Sequence, residues 1–188
     1  MALIDRARSM LFQPRATWRV VDAEFTKPGA LWGRYILPLA AIGPVATTIS
    51  WIVFGKPVPL TSLSNRVPIS SAVTRGVAEF VLALVSVVVL TKILSALAPG
   101  FGGQRNDVQA LKGTAYAYTA AWLGGVFALI PVLWPLKWLF YLYTFYLMYS
   151  GIAIVMKVPA SQSAAYGAVA TIATVVVFLL MVAVLSVF

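Results

Sequence analysis

Residues 166–188 read YGAVATIATVVVFLLMVAVLSVF, a run without a single charged side chain. A helix needs about 20 mostly apolar residues to cross a hydrocarbon layer about 30 Å thick, so this run is long enough to span a membrane. A membrane-spanning β-strand would instead alternate apolar and polar residues, and this run does not. The stretch therefore predicts a transmembrane helix.

Four further apolar runs precede it along the chain. Together the five predict spans at 35–54, 73–97, 114–134, 136–156 and 166–188. Prolines and glycines separate these runs, and Pro131 and Pro135 bracket a tight turn between the third and the fourth. A single helix through both of those runs would be roughly twice as long as a bilayer crossing. The predicted fold class is an all-α integral membrane protein, with five transmembrane helices in a domain at 35–188.

The composition of the whole chain agrees with a membrane protein. Of 188 residues, 61% are hydrophobic and 10% are charged. A soluble domain is about half apolar and about a quarter charged, so an ordinary soluble enzyme, a disordered chain and a groove-type nucleic-acid binder are excluded. The sequence contains no His and no Cys, which excludes disulfides, thiol nucleophiles and imidazole bases. We therefore expect no enzymatic activity, no metal and no cofactor.

Positive side chains are unevenly distributed among the predicted connections. Of the 14 Lys and Arg residues, ten fall on one side of the predicted topology, six of them before residue 35. Because Lys and Arg concentrate on the cytoplasmic side, we expect a cytoplasmic N-terminus and, with five spans, a C-terminus outside. The net charge of +9 is interpreted as topology and contact with anionic lipids rather than as nucleic-acid binding.

Residues 1–34 form a basic segment ahead of the first span. Its apolar residues follow helical spacing on both sides of Pro14: Leu3, Ile4, Ala7, Met10 and Leu11, then Trp18, Val21 and Phe25. Two short amphipathic helices in the headgroup plane would turn arginines toward lipid phosphates, namely Arg6, Arg8, Arg15 and Arg19. The same pattern fits a segment packed on the ends of the spans.

Two groups of polar residues fall within the predicted spans. Glu79 is the only carboxylate there, and Arg75 precedes it by one helical turn, so the two could pair. Ionisable groups at membrane depth are often functional, although snorkelling and pairing near the interface also explain them. In the fourth span, Tyr143, Tyr146 and Ser150 share a face that would line a wet groove or bond to neighbouring helices. These five residues are the candidate intramembrane polar site.

Small residues recur at four-residue steps in the third predicted span. Ala117, Ala121 and Gly125 form a small-residue face of the kind that lets helices approach closely. The face predicts helix packing, either inside the bundle or between two copies of the chain.

Several short motifs resemble those of one membrane-protein family. The stretch YTFYLMYSGI at 143–152, followed by Lys157-Val158-Pro159 and the pair Ala164-Ala165, resembles the signature of the YIP family of Ypt/Rab-interacting proteins. LFQPRATW at 11–18 and AYAYT at 115–119 are similar to its short bacterial members. The resemblance implies five spans, a cytoplasmic N-terminus and the bacterial inner membrane. Eukaryotic relatives are associated with prenylated Rab GTPases and membrane shape, and no functional residue is carried over.

Two functions fit these features. The favoured one is a non-enzymatic membrane protein that binds lipids, with anionic headgroups expected, or binds other membrane proteins or itself, and so organises the membrane. The alternative is a small transporter or channel for a lipid or lipophilic solute. Pro44, inside the first span, is expected to kink that helix, and Glu79 would be the coupling site.

Overall fold

The computed structural model describes residues 3–57 and 64–187. Its helices are α1 (Leu3–Phe12), α2 (Pro14–Ala23), α3 (Pro28–Leu31), α4 (Leu37–Ala40), α5 (Ile42–Phe54), α6 (Ile69–Leu97), α7 (Asp107–Ala117), α8 (Thr119–Gly124), α9 (Leu136–Val155) and α10 (Ala160–Leu185). A π-helical turn joins α3 to α4 (Trp32–Ile36), and 3₁₀ turns lie at Ala98–Phe101, Gly125–Leu129 and Pro131–Leu133. Two-residue strands β1 (Lys56–Pro57) and β2 (Ser64–Asn65) pair antiparallel.

Among the described residues, four helical stretches are long and apolar enough to cross a membrane. They are Pro28–Phe54, Ile69–Phe101, Leu136–Val155 and Ala160–Leu185. These stretches coincide with the first, second, fourth and fifth predicted spans. The chain is therefore a helical, multi-pass membrane protein.

The third predicted span, 114–134, differs because it is not one continuous helix. α7 ends at Ala117, α8 follows after Tyr118, and a 3₁₀ turn begins at Gly125. At this break the Thr119 hydroxyl lies 2.7 Å from the Tyr35 hydroxyl and also bonds to the Ala115 carbonyl, and such threonine contacts bend helices. Residues 110–122 are buried without interruption, so neighbouring helices rather than lipid surround this segment.

α1 and α2, called the N-terminal layer below, pack across one end of the bundle. Met10, Trp18 and Val21 are fully buried, and Trp18 rests on Gly151 of α9. The hydroxyl of Tyr143 donates to the Leu11 carbonyl at 2.6 Å and so ties α9 to α1. Of the two interpretations that the sequence left open for this segment, packing on the ends of the spans describes Met10, Trp18 and Val21, whereas Ile4 and Phe25 of the predicted apolar face are exposed.

Candidate functional site

Glu79 lies on the buried face of α6. Its Oε1 atom is 3.5 Å from Nζ of Lys137, near the start of α9. Arg75, the partner predicted from helical spacing, instead donates to the Leu185 carbonyl and lies over the Trp51 ring. The structure thus corrects the Arg75–Glu79 pair, because the Glu79 carboxylate points into the bundle while Arg75 reaches toward the end of α10.

A small cavity, lined mainly by apolar side chains, lies beside the Glu79–Lys137 pair. Its volume is about 40 Å³, and Ser86, Tyr118 and Tyr141 contribute hydroxyl-bearing side chains to its wall. Nζ of Lys137 also lies 5.7 Å from the centre of the Tyr141 ring. A cavity of this size has room for a few water molecules at most. The arrangement, called the Glu79 site below, can hold a charge pair and hydrate it.

The predicted tyrosine face does not join the Glu79 site. Tyr143 is bonded to α1, and its ring stacks on that of Tyr146 with centroids 5.5 Å apart. Ser150 donates to the Leu147 carbonyl of its own helix. The five residues grouped from the sequence therefore lie in separate places, and Tyr141 is the α9 tyrosine that faces Glu79. Sequence spacing missed Lys137 and Tyr141, since they come close to Glu79 only when helices that are far apart in the sequence assemble into the bundle.

The small-residue face is occupied within the chain. Ala117, Ala121 and Gly125 are all buried. A Cβ atom added at Gly125 would lie 2.6 Å from the Cα of Gly43, so the two backbones are in direct contact. The amide of Ala121 donates to the Thr144 hydroxyl at 2.9 Å. This face packs against α5 and α9 of the same molecule.

Charged groups link the N-terminal layer to the bundle. Lys157 pairs with Asp22 at 2.6 Å, and Lys112 donates to the main-chain carbonyl of Glu24 at 2.7 Å. Arg6 pairs with Glu24 within the N-terminal segment itself. Lys112 is only 2% exposed. Asp22 and Glu24, two of the three acidic residues in the basic segment 1–34, were the sequence signal for these contacts.

The four arginines predicted at lipid headgroups occupy two different environments. Arg6 is 5% exposed and lies over the Tyr116 ring. Arg8, Arg15 and Arg19 are exposed on the N-terminal layer. Arg6 is paired with Glu24 and packed against α7 through the Tyr116 ring.

No group of His, Cys, Asp or Glu residues that could hold a metal ion is found in the part of the chain that the structure describes.

Comparison with known families decides the relationship that the short motifs suggested. The model of the Yip1 domain matches residues 8–183. The chain belongs to the Yip1 family. The match runs from within α1 to within α10, so the N-terminal layer is part of the Yip1 domain. No curated protein and no solved structure was found to match the chain.

Proposed function

We propose that this Yip1-family chain is a non-enzymatic membrane protein that binds anionic lipids or other membrane proteins and thereby organises the surrounding membrane. The N-terminal layer carries the proposal. Its apolar side is buried against the bundle, whereas Arg8, Arg15 and Arg19 remain exposed. Exposed cations held at the end of a membrane bundle attract anionic lipid headgroups.

The same proposal includes five membrane passes. The amide of Gln104 bonds to the carbonyl of Met156, at the end of α9, whereas Lys137 lies at its start. α9 has 20 residues and is therefore about 30 Å long. The segment from Gln104 to Lys137 must cover that distance, which supports a fifth pass through α7, α8 and the 3₁₀ turn. With the basic N-terminal layer in the cytoplasm, the C-terminus would lie outside a bacterial inner membrane.

Lipid selection by the full chain tests this function. The protein is reconstituted in vesicles of mixed phosphatidylglycerol and phosphatidylcholine and extracted with its surrounding lipid, whose composition is measured by mass spectrometry. We expect phosphatidylglycerol to be enriched and the triple variant R8E/R15E/R19E to lose that enrichment, since each cation contributes about 1 kcal/mol near an anionic surface. The matched control K56E/R66E changes exposed cations in the connection between α5 and α6. Equal enrichment in all three proteins would refute the proposal.

A second candidate, a transporter of a lipid or lipophilic solute, is favoured by one observation. The Glu79–Lys137 pair places two ionisable groups inside the bundle beside a cavity, an arrangement common in transport pathways. Translocation of a fluorescent phospholipid in proteoliposomes, followed by dithionite quenching, tests it. Translocation by the wild type that is abolished in E79Q would support transport through the Glu79 site. Translocation that is unchanged in E79Q and Y141F would show that the Glu79 site takes no part in transport.

A further inference from the structure

A second and larger cavity opens beside the N-terminal layer. Its volume is about 460 Å³, and it lies between α1, the connection from α2 to α3, and α7. Space of this size admits on the order of ten water molecules, so it also admits a ligand of several heavy atoms. We call it the basic cavity after three residues in its wall, Arg6, Lys27 and Arg34.

The positive charge in the basic cavity exceeds what the protein neutralises. Glu24 is the carboxylate in the wall, and it is already paired with Arg6. Within residues 3–57 and 64–187, neither Lys27 nor Arg34 has an ion-pair partner. In the same ranges, the Nη1 atom of Arg6 is buried without a hydrogen-bond acceptor. Lys27 and Arg34 are both exposed, so they present positive charge to a ligand in the cavity.

The other part of the wall is apolar. Leu3, Phe25 and Leu31 line the same space, and the Phe25 side chain is 87% exposed. The first membrane-spanning stretch begins only a few residues later, at Pro28. The cavity thus lies where headgroups meet hydrocarbon, and exposed aromatic rings are typical of that depth. A small soluble anion would use the cations but not this apolar wall, whereas a phospholipid would use both.

We propose that the basic cavity binds the phosphate of one anionic phospholipid, with Lys27 and Arg34 at the phosphate oxygens and Phe25 against an acyl chain. Arg6, whose charge is paired with Glu24, lies in the same wall. This inference rests on the proposed function and narrows it from a general lipid preference to one site. A headgroup held there would bridge α1, the connection after α2 and the start of the first membrane-spanning stretch, and would hold the N-terminal layer on the bundle.

Native mass spectrometry of the full chain in mild detergent tests the site. Phosphatidylglycerol is titrated against wild type, K27A, R34A and the matched control R105A, which removes an exposed arginine of a loop outside the cavity. We expect the affinity for the first bound lipid to fall at least about tenfold in K27A and in R34A, because each variant loses a charge-assisted hydrogen bond. R105A and the conservative variant R34K should retain it. Thermal unfolding verifies that each variant is folded.

Equal binding of the first lipid in wild type, K27A and R34A would overturn the site. Even then, loss of phosphatidylglycerol enrichment in the vesicle experiment with R8E/R15E/R19E would leave the proposed function intact. Failure of the single site can therefore be distinguished from failure of the general lipid preference. A competition arm identifies the source of the phosphate. Displacement of the bound lipid by glycerol 3-phosphate or inorganic phosphate at comparable concentration would overturn the assignment to a lipid, and resistance to both would support it.

Discussion

The indole ring of Trp18 rests directly on the backbone of Gly151, and this contact fixes α2 on α9. Trp18 is 0% exposed, and a Cβ atom at Gly151 would overlap its ring. The variant G151V should therefore displace α2, at a cost of about 1–3 kcal/mol for overpacking. Hydrogen exchange followed by mass spectrometry should show faster exchange across 14–23.

Gly33 provides the control for this variant, because an added Cβ there meets open space. G33A should leave exchange across 14–23 unchanged. Slow exchange in G151V would mean that α2 is attached mainly by the charged contacts of Asp22 and Glu24.

Gly125 and Gly43 bring two backbone segments of the bundle into direct contact. A leucine at Gly125 would push the 3₁₀ turn away from α5, since the Cα of Gly43 occupies the required space. We expect G125L to lower stability by about 2–3 kcal/mol and to reduce the melting temperature in detergent. V126L, at the exposed neighbouring position, should have little effect. Equal melting temperatures for the two variants would contradict this packing.

The Glu79–Lys137 pair is expected to stabilise the bundle only when both charges are present. Its side chains are 11% and 22% exposed, so removal of one partner leaves the other charge largely buried. We expect E79Q and K137M each to cost about 3 kcal/mol, and the double variant to cost less than their sum. The exposed pair Lys92–Asp107 is the control, and its coupling should stay below about 1 kcal/mol. Additive effects at Glu79 and Lys137 would show that the pair is not coupled.

At the scale of elements, α7 is distinguished by its burial and by its cap. The Oδ1 atom of Asn106 accepts hydrogen bonds from the amides of Val108 and Gln109 at 3.0 and 3.1 Å. N106A should cost about 1 kcal/mol, whereas N106D should retain the cap and most of the stability. Thermal unfolding of both variants in one detergent measures the difference. A loss of equal size in N106D would assign the effect to something other than capping.

The sequence predicted those elements whose formation depends on their own residues rather than on contacts with other helices. Apolar runs of sufficient length predicted the stretches that contain α5, α6, α9 and α10, because crossing a bilayer requires that length regardless of neighbours. No proline or glycine at Tyr118 indicates the helix break from sequence. The break occurs where the Thr119 hydroxyl contacts the Tyr35 hydroxyl of another helical segment. The partner of Glu79 was missed for the same reason. Arg75 was the nearest cation in sequence, but Lys137 became the nearest in space through helix packing.

At the scale of the whole molecule, the two ends of the bundle differ in character. The N-terminal layer and the basic cavity bring many charged groups to one end, where Lys157 pairs with Asp22 and Lys112 donates to the main-chain carbonyl of Glu24. The Glu79 site lies beside the turn between α8 and α9, toward the opposite end. This asymmetry supports a fixed orientation, with the N-terminal layer on the more positive side of the membrane.

The number of passes determines where the C-terminus lies, and the absence of cysteine makes it measurable. Single cysteines at exposed positions, R8C, S161C, N65C and S186C, can be labelled in intact cells with a membrane-impermeant maleimide. Five passes with a cytoplasmic N-terminus predict that N65C and S186C react while R8C and S161C do not until the membrane is permeabilised. Four passes would place R8C and S186C on the same side. The five-pass and four-pass topologies differ only in whether the segment through α7 and α8 crosses the membrane. If R8C and S186C are labelled from the same side, that buried segment enters the bundle without crossing it.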